Sequence, residues 1–330
     1  KETNKDCCSS NAGGNEMETK KVRSSMTLVL IMVMSLFATL EFSDRAEGSE
    51  IVVTDAIQIV ASGTHNDRMV AMDAEWGLAM RLDSTYAFPW NMTLGAIKDD
   101  KLVEQVGRQI GLHSKRMGVH INFAPDVDIN VNPENPIIGN RSFGEDRDNV
   151  TDKSVAFLRG MQGVGVLGSA KHFPGHGDTN QDSHKTLPTI PFSRKRLDSI
   201  EMYPYKKVID AGIASIMVAH LNVPALDNRA GYPTSLSGKV VTGILKDSLG
   251  YQGLIFTDAL NMKGASNYDE PGEIDLAAFN AGNDILLMSE NVAKAIAKIE
   301  EAYTKGTITE KRLARSVKKI LFAKFKVGLN

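Results

Sequence analysis

Cysteine is nearly missing. The 330 residues hold two, the adjacent Cys7 and Cys8, and neighbouring cysteines seldom meet the geometry of a bridge. No disulfide framework is implied, and the redox compartment stays open. Aromatic residues are scarce at 6%, and neither sign of charge dominates: 38 Lys and Arg face 40 Asp and Glu, for a formal net charge of −2. That balance gives no electrostatic reason to expect nucleic acid as a partner. A phosphate cradle is also lacking. Gly160-Met-Gln-Gly-Val-Gly165 has glycines, but it ends a helix-like stretch and leads into an apolar run. A dinucleotide fingerprint has the opposite order, so helix termination explains these glycines and no cofactor is expected. What is present, 42% hydrophobic and 24% charged residues, is ordinary for a globular domain with a sizeable core.

Long apolar runs are absent with one exception. Residues 1–20 are polar, with Gly, Asn and Ser, consistent with disorder. Lys20-Lys-Val-Arg23 then precedes Met26–Leu40, which is short for a membrane span but has the basic flank and length of a secretory signal, with Met17 as an alternative start. No convincing small-x-small cleavage site follows, and no cysteine stands behind the run to accept lipid. A buried strand or helix is the competing reading. The first implies a periplasmic or exported protein, the second a cytoplasmic one, and membrane contact arises only if residues 26–40 are an anchor. The chain is accordingly divided into 1–50, a polar segment with a signal or anchor, and 51–330, the folded domain.

Further along, short apolar runs recur and end in polar residues: Met69–Asp73, Val119–Ala124, Val166–Ala170, Ala214–Ala219, Gly253–Thr257 and Asp284–Met288. Between them lie amphipathic stretches, including Asp99–Met117, Thr151–Gly163, Arg194–Ala211 and Ser237–Leu249. This alternation predicts an α/β fold with a parallel sheet covered on both faces. Polar groups close almost every strand: Asp73, Asp126, Lys171-His172, His220 and Asp258. Such a spread favours a (β/α)8 barrel, whose site draws on many strand ends, over a doubly wound sheet with one switch point.

The densest chemistry is Lys171-His-Phe-Pro-Gly-His-Gly-Asp178 followed by Asp182-Ser-His184. Glycine and proline forbid a regular helix there, so the segment reads as a loop that presents polar groups. His172, His176, Asp178 and His184 could ligate a metal, but no pair has a recognised helical ligand spacing, and no metal is expected. Acid–base work is the other option. In an extended segment Asp182 and His184 fall on the same side, and a carboxylate beside an imidazole fixes its tautomer and raises its pKa. Asp258, at the end of an apolar run, is the best candidate nucleophile, with helix capping as the competing role. A carboxylate nucleophile with a separate acid/base is the arrangement of retaining glycoside hydrolysis.

With those residues in hand, the chain resembles the N-terminal barrel domain of glycoside hydrolase family 3, in particular its β-N-acetylhexosaminidase branch. The loop Lys171–His184, the segment Gly253–Met262, Asn140-Arg-Ser-Phe-Gly-Glu-Asp146 and Asp73-Ala-Glu-Trp-Gly-Leu-Ala-Met-Arg81 are similar to four of its motifs, in the family's order. The resemblance implies Asp258 as nucleophile and His184 as acid/base tuned by Asp182. Asp73, Arg81, Arg141, Lys171 and His172 would bind the hydroxyls and acetamido group of a terminal N-acetylglucosamine, and His176 and Asp178 would shape the loop. It implies a small-carbohydrate substrate of the muropeptide type in a bacterial, cell-wall-recycling setting. The chain departs from the family at its start: the first two strand–helix units are not identifiable, because Thr27–Leu40 and Ile51–Ala61 are separated by too few residues for a crossover helix. Alternatives kept beside this reading are a β-glucosidase or phosphorylase of the same fold, a non-catalytic sugar-binding relic, and a metal-dependent hydrolase.

Overall fold

A computed structural model describes residues 68–329 together with Ser35–Leu36 and Ile57–Val60. Most of the apolar run Met26–Leu40, the remainder of Ile51–Ala61, and Cys7 and Cys8 lie outside the described residues. The strands are β1 (Ser35–Leu36), β2 (Ile57–Val60), β3 (Met69–Met72), β4 (Ile121–Asn122), β5 (Leu167–Phe173), β6 (Ser215–Val218) and β7 (Leu254–Thr257), and they neighbour one another in chain order. From β3 to β7 every pairing is parallel, as the nearly continuous apolar runs predict. β5 is buried along its whole length, which is the mark of a strand covered on both faces. The run Asp284–Met288 forms no extended strand; Ile285 makes a parallel bridge to Phe256. The start of the sheet differs from a repeating strand–helix barrel, since β1 pairs with β2, and β2 with β3, in antiparallel fashion.

Helices cover the sheet where amphipathic stretches predict them, with instructive shifts. Arg147–Gln162 begins before the expected Thr151 because the Asp146 side chain caps it, accepting the Asn149 N–H at 2.7 Å. The stretch expected as one helix over Arg194–Ala211 is two, Arg194–Ser199 and Tyr203–Asp210. Pro204 explains the break: it has no N–H, and its ring would clash with the carbonyl four residues back. Lys239–Ser248 is wound as a π-helix. Helices Asp100–Arg116 and Arg147–Gln162 cross at glycines. A Cβ on Gly107 would lie 2.2 Å from the Phe157 carbonyl oxygen, and one on Gly160 would lie 1.9 Å from that of Glu104.

Phe123 and Phe256 meet edge-on with centroids 5.3 Å apart inside the sheet, and both are 1% exposed or less. Each such side chain contributes roughly 1.5–3 kcal/mol by leaving water. Phe123 also forms part of the wall of the pocket described next.

Candidate active site

The carboxyl ends of the parallel strands open into one cavity of about 430 Å³, a size typical of small-molecule sites. Asp73, Arg81, Arg141, Lys171, His172, His184 and Asp258 all line it. Seven residues predicted from sequence thus converge although they come from distant parts of the chain. Asp182, the eighth, is joined to the pocket through His184.

Strand ends account for the convergence. Asp73 follows β3, and the Asn122 side chain on neighbouring β4 fixes that end by bonding both the N–H and the C=O of Ala74 at 2.9 Å. Lys171 and His172 belong to β5 itself, which runs to Phe173, so the expected loop begins three residues later than the sequence suggests. Lys171 is 2% exposed, and its ammonium stands 2.7 Å from both Asp73 and Glu75. Arg141 reaches Glu75 with Nε at 3.1 Å and Nη2 at 2.8 Å, and Arg81 bonds Asp73 at 2.9 Å. Buried charge is tolerable only when paired in this way. Burial pushes the Asp73 and Glu75 carboxyls up, but Lys171 with Arg81 and Arg141 more than offsets it and holds both below the usual carboxylate range.

Behind the pocket lie Asp126 and Asp128, both buried. Asp128 accepts the His172 ring Nδ1 at 2.7 Å and the backbone N–H groups of His172 at 3.2 Å and His176 at 2.7 Å. One oxygen of Asp126 accepts the Asp128 N–H at 2.9 Å, while the other has no hydrogen-bond partner. Burial and the neighbouring Asp128 push the Asp126 carboxyl up to about 8. With two backbone N–H donors on Asp128 against one on Asp126, the pair's proton belongs on Asp126. Ligand atoms of Asp126, Asp128 and His172 lie within 4.8 Å of one another. The Arg141 guanidinium, 3.7 Å from the free Asp126 oxygen, makes that set better suited to a proton than to a cation. Burial also pushes the His172 and His176 rings down to about 4.

Asp182 and His184 are paired, though not in an extended segment. Asp182 opens an Asx turn, its Oδ1 accepting the His184 N–H at 2.8 Å, with the ring Nδ1 2.9 Å from the same oxygen. Partial burial raises the Asp182 carboxyl, and the hydrogen bonds from His184 outweigh that and lower it. The His184 side chain is 62% exposed and stands at the mouth. Ser183 between them is buried and meets His176 Nε2 at 3.0 Å, while Asp178 is held by Arg196 at 2.8 Å. Asp258 follows β7 and remains partly accessible from the pocket. Burial would raise its carboxyl; His172, His220 and the Ala259 N–H hold it below the usual range. His220 itself is buried, bonded to Ser235 at 2.7 Å and to the Ala259 carbonyl at 2.9 Å, while Met217 lines the pocket.

Glu75, Asp128 and the pocket-lining Met80, Met262 and Met288 were not singled out from sequence. The one local signal for Glu75 is its place two residues after Asp73 in the segment Asp73–Arg81.

Residues 18–323 match the model described as the glycosyl hydrolase family 3 N terminal domain. The chain belongs to that family. The family 3 domain here is 31% identical to beta-hexosaminidase A of Pseudoalteromonas piscicida over 351 aligned residues, covering 96% of this chain and 58% of that protein. It is 32% identical to beta-hexosaminidase LpqI of Mycobacterium tuberculosis, covering 80% of this chain and 69% of that protein. Among solved structures, a glycoside hydrolase family 3 beta-N-acetylglucosaminidase from Paenibacillus sp. str. FPU-7 superposes with a TM-score of 0.75 at 38% identity, over 78% of this chain and 50% of that one. The beta-glucoside phosphorylase BglX bound to 2FGlc gives a TM-score of 0.74 at 28% identity, over 78% of this chain and 48% of that one. The family 3 domain therefore spans about half to two thirds of these relatives.

Proposed function

We propose that the chain carries the catalytic barrel of a retaining β-N-acetylhexosaminidase acting on terminal β-linked N-acetylglucosamine, with muropeptide-type cell-wall fragments as substrates. The observation that carries the reading is that Asp258 and His184 line the same cavity as the half-buried Asp73 and Arg141 and the buried Lys171 and His172. The curled sheet is read as the larger part of a (β/α)8 barrel. The names of the P. piscicida and Paenibacillus relatives support the substrate class.

In this reading Asp258 attacks the anomeric carbon while the protonated His184 ring gives a proton to the departing oxygen, forming a glycosyl-aspartate. The ring, now neutral, then takes a proton from water, whose oxygen displaces Asp258 and releases the sugar. Asp182, with Oδ1 2.9 Å from Nδ1, fixes the orientation of the His184 ring. Asp73, Arg81, Arg141, Lys171 and His172 hold the sugar through charge-assisted and directional hydrogen bonds. Hydrolysis of an aryl N-acetyl-β-glucosaminide should fall on the order of 10³-fold or more in Asp258→Ala, as for loss of other nucleophiles. Equal rates in the two proteins would sink the assignment. The likeness to a beta-glucoside phosphorylase favours a second reading, phosphorolysis; a rate that depends on inorganic phosphate, with a sugar phosphate as product, would select it.

A further inference from the structure

His172 is gripped from both sides. On one side Nδ1 lies 2.7 Å from Asp128 Oδ2, and on the other Nε2 lies 3.2 Å from Arg141 Nη2. A guanidinium can only donate, and an ionised carboxylate can only accept. Nδ1 therefore carries the hydrogen and Nε2 presents its lone pair. The neutral ring that this requires agrees with its deep burial, at 6% exposure. Asp128 is ionised because the backbone N–H groups of His172 and His176 both donate to it, whereas Asp126 has an oxygen with no donor within hydrogen-bond distance.

The same contacts account for Arg141. Of its five N–H groups, Nε–H and one on Nη2 go to Glu75, the second on Nη2 goes to His172, and one on Nη1 goes to the Ile137 carbonyl at 3.3 Å. One Nη1–H is left for a bound molecule. We propose that Asp128 is a positioning residue that locks His172 as the Nδ1–H tautomer, so that the ring presents only an acceptor and leaves Arg141 a single N–H for substrate. A sugar hydroxyl reaches Nε2 only by donating to it in place of the Arg141 Nη2–H, which selects a hydroxyl over an ether or carbonyl oxygen at that position and frees that N–H for the same sugar. The kinetic part of this inference rests on the glycosidase reading; the tautomer does not.

The test is a long-range 1H–15N correlation spectrum of the full chain labelled with 15N-histidine at pH 7, with His172 assigned from His172→Gln. The expected result is a neutral ring protonated at Nδ1. In Asp128→Asn, the new NH2 must face either the His172 ring or a backbone N–H, so the Nε2–H form should grow. KM for the aryl glucosaminide should rise about tenfold or more, the usual scale for losing a partner that orients a binding histidine, with kcat changing less. A wild-type ring protonated at Nε2, or charged, would overturn the proposal. So would an Asp128→Asn protein that keeps both tautomer and KM. The wild-type spectrum decides even if Asp128→Asn does not fold. Absence of turnover in the wild type would defeat the glycosidase reading and leave the tautomer result standing.

Discussion

Replacing Lys171 by methionine keeps the length of a side chain that is 2% exposed and removes its charge. Its ammonium touches Asp73 and Glu75 at 2.7 Å each, so both carboxylates lose a partner at once. Breaking a buried ion pair by deleting one member costs about 3–5 kcal/mol. Here Glu75 keeps Arg141 at 2.8 Å and Asp73 keeps Arg81 at 2.9 Å, which puts the expected loss at the lower end, about 3 kcal/mol at pH 7. The sign of the pH dependence follows from the two acids. Both are held below the usual range in the folded protein, so the stability they contribute is full above the ordinary carboxyl pKa of about 4 and is lost as pH falls further. Without Lys171 their folded pKa values rise, the variant takes up protons on acidification as the unfolded chain does, and the gap to wild type narrows. Urea unfolding at pH 7 and pH 4 measures both quantities, with Arg194→Ala, which breaks an exposed pair with Asp198, as a control expected to cost under about 1 kcal/mol. A Lys171→Met loss below about 1 kcal/mol at pH 7, or the same loss at both pH values, would refute the reasoning.

Three further outcomes are expected. His184→Ala should slow natural disaccharides far more than aryl substrates with good leaving groups, because an activated oxide needs little protonation; equal slowing would remove His184 as the proton donor. Asp126 keeps its proton up to about pH 8 in the folded state but only to about 4 when unfolded, so its contribution is full below the unfolded value and is lost as pH rises through the folded one. Asp126→Asn, fixed in the neutral state, should therefore gain stability relative to wild type between pH 5 and pH 8, and parallel profiles in thermal melts would contradict this. Gly160→Ala places a methyl 1.9 Å from the Glu104 carbonyl and should cost about 1–3 kcal/mol by overpacking the helix crossing; an unchanged melting temperature would show that the helices can separate freely.

Why the pocket residues were legible in the sequence, and their support was not, comes down to the range of the forces involved. Asp258, Lys171 and Asp73 each close an apolar run, and a polar residue at the end of a buried parallel strand has a pocket as its natural outlet. That relation is local and visible in the order of residues. The antiparallel start at β1 and β2 was not visible, because a short apolar run carries no sign of its direction and pairing is decided by whichever edge is open. Glu75 and Asp128 were hidden for another reason. Their roles exist only through partners far along the chain, Arg141 for Glu75 and His172 for Asp128, and no spacing encodes such a meeting. The Asp182–His184 contact shows the opposite case: two residues apart, it was predicted as a pair, yet for the wrong backbone, since an Asx turn rather than an extended strand brings the groups together. A motif read from sequence thus identifies which groups can react, while the charges that tune them are set by residues the motif does not contain. Lys171 and His172 look alike as polar strand-end groups until Glu75 is seen holding one charged, while burial beside Arg141 keeps the other neutral.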